Sequence, residues 1–90
     1  MKARKVKNAL IKKGFKQVPG DHQYFHLYDD NGNKTIAWTK ISHSADEIRE
    51  PLISQMAKQT QLSKNEFKQL IECTLSKEGY KQILRRKRII

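Results

Sequence analysis

The stretch Gly20–Tyr28 constrains the fold of this chain most strongly, because apolar and polar-aromatic side chains alternate along it. In a β-strand, successive side chains point to opposite faces of the sheet. One face of this strand receives Phe25 and Leu27, which suit packing against helices. The opposite face receives two imidazoles and two phenols, those of His22, Tyr24, His26 and Tyr28. A strand that only had to fold would not need this composition, so we predict one core face and one functional face.

The segments around this strand predict a helix followed by a three-stranded antiparallel meander. Residues 2–13 have apolar side chains at helical spacing, and Gly14 follows where a helix end favours a left-handed residue. Phe15–Val18 is predicted to be a short strand. Asn31-Gly32 is a strong hairpin signal, and residues 33–40 are therefore predicted to return as the third strand.

The second half of the chain predicts helices. Pro51 suits the first position of a helix and pushes the preceding residue to extended angles, so we place a turn at residues 45–49 and begin a helix at Pro51. Ser63–Glu66 has the pattern of a capping box that opens a further helix. Ser76 is placed at the start of a last helix. The side chains of these last two helices that are predicted to face inward are Phe67, Leu70, Ile71, Thr74, Tyr80, Ile83 and Leu84.

These patterns together predict a single α+β domain over residues 1–90, with helices layered on an antiparallel meander. We assign residues 1–62 to its core and residues 63–90 to a C-terminal helical extension packed on that core. Ninety residues are too few to enclose a buried cofactor and a separate substrate pocket, so no cofactor is expected.

The charge balance predicts a polyanionic partner. Nineteen Lys and Arg stand against nine Asp and Glu, which gives a formal charge of +10. On so short a chain this favours nucleic acid first, an acidic protein second and an anionic membrane surface third.

The single cysteine, Cys73, excludes an internal disulfide, and it is interpreted as inert packing on a helix. Residues 1–14 lack the apolar centre of a signal peptide, and no apolar run is long enough to span a membrane, so we expect a cytoplasmic protein.

The central stretch also has the form of a known motif. The sequence Gly-Asp-His-Gln-Tyr-Phe at residues 20–25, five residues after Gly14-Phe15, resembles the Gly-Ser-His-His-x-Phe signature of HicA toxins. The resemblance extends from the first helix to about Leu62. Asp21 stands where the family usually has Ser, and Gln23 stands where a second His is common. The segment after Leu62 is additional to the short members of the family.

The resemblance to HicA toxins implies a fold, an activity and a partner. Those proteins are small bacterial mRNA interferases with a double-stranded-RNA-binding-domain-like α-β-β-β-α core. By this resemblance the protein would be the toxin of a type II toxin–antitoxin system and would cleave mRNA without a metal ion. The catalytic histidine of the family falls on His22. A HicB-like antitoxin protein would be the partner that covers the site.

Independent of any family, the residues around the motif suit RNA chemistry. RNA is cleaved without metal when a base takes the 2′-hydroxyl proton and an acid protonates the leaving 5′-oxygen, and His22 suits either role. His26 lies about 13 Å further along an extended strand, too far to act on the same phosphate. His43 either returns towards the site or is a solvated loop residue, and the second is favoured. Asp21 either orients an imidazole or ends the turn, and the turn is favoured. No metal-ligand spacing, phosphate loop or dinucleotide fingerprint occurs.

Several side chains are candidates for contact with RNA. Residues 1–20 contain basic side chains and no acidic one, which fits either a solvated face or a phosphate-contacting face. Tyr24 and Tyr28 suit stacking on bases or cross-strand packing, whereas core burial is favoured for Trp38. Gly20 precedes the motif and is expected to adopt backbone angles closed to other residues, which would form a sharp turn. The RNA-binding candidates are Lys12, Lys13, Lys16, Lys40 and Tyr24.

Two other classes of function fit the sequence. One is a non-catalytic RNA-binding domain of the same topology, which would contact RNA by shape and phosphate rather than by base identity. The other is a small basic interaction protein whose acidic protein partner accounts for the charge. The three classes differ in the role that they give to His22, which only the first requires.

Overall fold

The computed structural model describes residues 1–90, and the predicted α+β class with a three-stranded antiparallel sheet is confirmed. The elements are α1 Ala3–Lys12, β1 Phe15–Val18, β2 Gln23–Tyr28, β3 Lys34–Ile41, α2 Glu50–Gln59, α3 Lys64–Ile71 and α4 Lys77–Arg86. The strands follow one another in the sheet in chain order, β1-β2-β3. Helix α1 packs on β1 and helix α2 packs on β3, so the helices form a layer on one face of the sheet.

The alternation predicted for the central strand is present. Phe25 and Leu27 are buried against the helices, whereas Tyr24, His26 and Tyr28 are only half-buried. The same period continues on β3, where the side chains of Ala37, Thr39 and Ile41 are buried. The strand pairing and the hydrophobic pattern therefore agree on which face of the sheet is the core face.

The turn before β2 differs from the prediction. The strand begins at Gln23, so residues 20–22 lie in the turn that precedes it. Gly20 does not adopt a positive φ, in contrast to Gly14 at +104° and Gly32 at +80°. A Cβ at Gly20 would lie 3.0 Å from Cε2 of Tyr24. The expected special backbone angle at Gly20 is therefore wrong, and the site needs glycine because an aromatic ring packs on its α-carbon.

The C-terminal helices belong to the same core as the sheet. A single cluster of 20 buried apolar residues unites all elements. The ring of Tyr80 stacks on Phe15, with centroids 5.9 Å apart, and its hydroxyl donates a 2.8 Å hydrogen bond to the carbonyl oxygen of Thr60. Thr74 is exposed because α3 ends at Ile71, before the predicted inward position. The other residues predicted to face inward are buried, namely Phe67, Leu70, Ile71, Tyr80, Ile83 and Leu84.

Local signals set the ends of the helices. Helix α2 begins one residue before Pro51, and Arg49 rather than Glu50 has the extended conformation. The capping box is confirmed, since the Ser63 hydroxyl accepts from the Glu66 amide at 3.1 Å and the Glu66 carboxylate accepts from the Ser63 amide at 2.8 Å.

Cys73 follows α3 with a φ of +67° and is exposed, so its interpretation as helical packing is wrong. None of the helices is long and apolar enough to cross a membrane.

Candidate functional site

The face of the sheet opposite the helices is open, and we call it the open face. Its side chains belong to all three strands and combine aromatic rings, lysines and two exposed aliphatic groups. Ile36 is 63% exposed and Val18 is 38% exposed, which shows that no element of the chain covers them. The open face consists of Lys16, Val18, Tyr24, His26, Tyr28, Lys34, Ile36, Trp38 and Lys40.

Three rings stand in a group at the centre of the open face. His26 pairs with Trp38 across the β2–β3 ladder, and their rings lie 6.3 Å apart at an interplanar angle of 25°. The Tyr24 ring lies 6.4 Å from each of the other two, at 14° to His26 and 33° to Trp38. These distances are typical of offset aromatic pairs. The prediction that Trp38 is a core residue is wrong, because its neighbours in β3 take the inward positions and the pleat turns Trp38 outward.

A shallow depression lies beside the three rings. Its volume is about 450 Å³, within the range of small-ligand sites. Lys34 was not predicted as a site residue. The signal for it was its position directly after the Asn31-Gly32 hairpin, and the structure pairs it with Tyr28. The depression is lined by Val18, Tyr24, His26, Lys34, Thr35 and Trp38.

His22 lies at the edge of the open face, in the turn before β2. Its ring is 6.2 Å from that of Tyr24 in an edge-on arrangement, and its side chain is 37% exposed. The Nδ1 atom is shielded from solvent and lies 3.4 Å from Asp21 Oδ2, close enough for attraction but without the alignment of a hydrogen bond. The shielding of Nδ1 leaves Nε2 as the ring nitrogen that can meet a ligand.

Asp21 connects the turn to the ring group. Its Oδ1 accepts a 2.7 Å hydrogen bond from the Tyr24 hydroxyl and a 3.1 Å bond from the His22 amide. The Tyr24 bond is the main cause that lowers the pKa of Asp21, and the same bond raises the pKa of Tyr24. The favoured interpretation of Asp21 as a residue that only ends the turn is therefore incomplete, since its carboxylate also faces the imidazole.

The other two histidines have different surroundings. The Nε2 atom of His43 donates a 3.0 Å hydrogen bond to the carbonyl oxygen of Gly20. His43 is an exposed loop residue, as the favoured interpretation had it, and the loop after β3 also returns to the motif turn. Burial lowers the pKa of His26, and the charge of Lys34 lowers it further, so the His26 imidazole is neutral at pH 7.

The five predicted RNA-binding residues do not form one group. Tyr24, Lys16 and Lys40 share the open face, where the Lys16 ammonium lies 4.7 Å from the ring centroid of Tyr28. Lys12 is exposed on α1, at a separate groove that also contains Lys2, Arg4, Lys5 and Lys7.

Lys13 is unavailable to a phosphate, so its selection as an RNA-binding residue was wrong. It is only 6% exposed, and its ammonium donates a 2.7 Å hydrogen bond to the carbonyl oxygen of Leu75. The segment between α3 and α4 provides this acceptor, and sequence spacing from the first helix gives no sign of that contact.

Comparison of the chain with family models, with curated proteins and with solved structures finds no match. The structure contains no group of three or more His, Cys, Asp or Glu side chains placed to hold a metal ion.

Proposed function

We propose that this protein is a HicA-like mRNA interferase, a metal-independent endoribonuclease that acts as the toxin of a type II toxin–antitoxin system. The observation that carries the proposal is the position of His22, half-exposed beside a carboxylate at the edge of an open face with lysines and aromatic rings. The helix, the three-stranded meander and the following helix suit the double-stranded-RNA-binding-like core that the motif resemblance implies. The extra helices α3 and α4 complete the core of this chain.

In the proposed reaction, His22 takes the proton from a 2′-hydroxyl through Nε2. The 2′-oxygen attacks the adjacent phosphorus, the bond to the 5′-oxygen breaks, and the leaving oxygen receives a proton from solvent water. The products are a 2′,3′-cyclic phosphate and a 5′-hydroxyl. Asp21, 3.4 Å from Nδ1, stabilises the imidazolium that forms. Lysines of the open face stabilise the added negative charge of the phosphorane.

The proposal includes a partner and a place of action. A HicB-like antitoxin would bind the protein and cover His22, and both proteins would act in the cytoplasm, where mRNA is available. The strong positive charge of this chain suits an acidic antitoxin as well as RNA, since both present negative charge to it.

A non-catalytic RNA-binding domain is the second candidate. One observation favours it: the ion pair and the ring contact of His22 involve Asp21 and Tyr24, and the Tyr24 hydroxyl already donates its proton to Asp21 rather than towards a ligand. His26 and His43 make their own contacts elsewhere. In that case His22 would only help to form the edge of an RNA-binding surface.

The test compares the purified wild type with His22→Ala in RNA cleavage, with and without a chelator. We expect the variant to cleave RNA slower by a factor of about 10² to 10⁴, as for loss of a proton-transfer group. Its free energy of unfolding should change by less than about 1 kcal/mol, because His22 is not part of the core. Wild-type products should have cyclic phosphate ends, and chelation should leave the rate unchanged.

Gln23→Ala is the matched control, because Gln23 adjoins His22 in the motif but faces the side of the sheet that carries Phe25. It should retain wild-type cleavage. Full cleavage by His22→Ala would refute the role of the histidine. RNA binding by the wild type without any cleavage would establish the second candidate instead.

A further inference from the structure

We infer that the open face is a stacking site for unpaired bases, with Trp38, His26 and Tyr24 as its platform, and that the RNA bound there is single-stranded. This inference names the substrate class of the proposed function and rests on that function only for the cleavage step. The platform lies on the same face as the edge occupied by His22, so a strand stacked on the rings would lead its backbone towards the imidazole.

The geometry of the three rings suits bases better than another kind of ligand. Their planes lie within 33° of one another, and the depression beside them is open to solvent. The hydroxyl of Tyr24 is already bound to Asp21, so the part of that side chain left for a ligand is the ring. The face therefore offers flat aromatic area rather than a set of hydrogen-bond donors, as in sites that bind bases without regard to sequence.

The charges on the open face complement a phosphate backbone. Lys16, Lys34 and Lys40 lie around the rings, and none of the three makes an ion pair in the structure. Carboxylates near the face are already occupied. Asp29 accepts hydrogen bonds from two amides of its own hairpin, and the carboxylate of Asp30 binds the ammonium of Lys81 on α4.

A duplex would not use this platform. Bases inside a duplex stack on one another, so aromatic side chains reach only unpaired bases, whereas duplex RNA is recognised across its minor groove by shape and backbone contacts. The exposed basic side chains of α1 lie outside the open face. An aromatic platform surrounded by unpaired lysines selects a single strand by the stacking of its bases and by its phosphates together.

The experiment uses Trp38, the only tryptophan of the chain, as an intrinsic probe. The full-length wild type is titrated with a 2′-O-methyl oligonucleotide of about eight residues, which cannot undergo 2′-hydroxyl attack. Two matched ligands are an abasic chain of equal length and charge, and a duplex of the same sequence. We expect the single strand to quench Trp38 fluorescence and to bind tighter than the abasic chain by about 5- to 100-fold. The duplex should quench little.

Variants locate the contact. Because Trp38 variants have no tryptophan, binding of the variants is followed by the fluorescence anisotropy of a dye-labelled oligonucleotide. Trp38→Ala should lose most of the preference for the single strand over the abasic chain, and Trp38→Phe should recover much of it. Ile11→Ala is the control, because Ile11 is an exposed apolar side chain on α1 and should leave the preference intact. Equal binding of the abasic and base-containing chains, or an unchanged preference in Trp38→Ala, would overturn the inference. So would stronger quenching by the duplex, or by poly-glutamate, which would assign the face to an acidic protein.

The outcome is separable from that of the cleavage test. The oligonucleotide is not cleavable, so quenching without any RNA cleavage would retain the platform and reject the nuclease. Cleavage that depends on His22 but is indifferent to Trp38→Ala, in KM as well as in kcat, would retain the nuclease and reject the platform.

Discussion

The carboxylate of Asp21 makes three contacts within the motif, which makes it the residue on which the site's local geometry depends. It fixes the Tyr24 hydroxyl, accepts from the backbone at His22 and faces the His22 ring. Because its pKa is lowered, mainly by the Tyr24 hydrogen bond, it remains a carboxylate throughout the neutral range. The serine that HicA toxins usually have at this position would be uncharged, so this chain places a negative charge beside the imidazole.

The first prediction concerns the pH dependence of stability through His26. Its folded-state pKa lies below the ordinary value of 6.5, because of burial and then the charge of Lys34. The unfolded chain therefore binds more protons at this position, and the stabilising contribution is present above about pH 6.5 and lost as pH falls through the folded pKa. We expect urea denaturation to show lower stability at about pH 5.5 than at about pH 7.5 in the wild type, and a smaller difference in His26→Gln.

Measurements above about pH 5 separate this effect from the carboxylates, whose ordinary pKa values are 3.8 and 4.5. Ion pairs and hydrogen bonds lower the pKa further for five of them, namely Asp21, Asp30, Glu47, Glu50 and Glu66. The other groups that face His26 are Lys16, Tyr24 and Trp38, and the pKa of the Tyr24 phenol is raised. An equal loss of stability in the wild type and in His26→Gln would show that the effect arises elsewhere.

At the scale of elements, helices α3 and α4 complete the core. They provide six of its 20 apolar residues, and the Tyr80 ring reaches under the sheet to stack on Phe15. Two serine caps open them, with Ser63 accepting from Glu66 and Ser76 accepting from Gly79. The sheet has only three strands, so without these helices too little apolar surface would be buried on its inner face.

The second prediction is that truncation after Leu62 abolishes cooperative unfolding at 25 °C, because it removes six core side chains at once. Tyr80→Phe is the graded companion. It keeps the ring but removes the bond to the carbonyl oxygen of Thr60, and it should cost about 1–3 kcal/mol. Circular dichroism during heating and denaturant titration measures both. A truncated chain with an unchanged melting temperature would contradict the assigned core.

At the scale of the whole molecule, the net charge of +10 is divided between surfaces. On α1, Lys2 and Lys5 form ion pairs with Glu47 and Glu72. Arg4, Lys7 and Lys12 have no such partner in the structure, and neither have the lysines of the open face. The molecule therefore has two basic surfaces without ion-pair partners, on opposite layers of the fold.

The third prediction assigns phosphate contacts by salt dependence. Binding of single-stranded RNA should weaken linearly in a plot of log K against log salt, and Lys40→Ala should lower the slope by about 0.7 if Lys40 contacts one phosphate. Lys58→Ala changes the net charge equally but lies on α2, exposed and without an ion pair, so its slope should equal that of the wild type. Equal slopes for all three proteins would exclude Lys40 from the interface.

The sequence by itself determined the elements and the faces of the central strand. The alternation of Phe25 and Leu27 with Tyr24 and His26 is a local property, since the pleat alone places successive side chains on opposite faces. Helix ends followed equally local rules, as the capping box at Ser63 and the left-handed Gly14 show. The α+β class and, except for Thr74, the inward residues of the last two helices depended on these patterns and were predictable for that reason.

Only the tertiary structure decided which residues meet across the sheet and between the layers. Trp38 faces outward because strand register places it opposite His26, and a large apolar residue gives no local sign of its face. Lys13 is buried because a distant carbonyl group, that of Leu75, receives its ammonium. His43 reaches Gly20 because β3 ends beside the motif turn. Each contact joins residues that are far apart in the chain, and such contacts depend on how the elements pack rather than on the spacing of residues within one element.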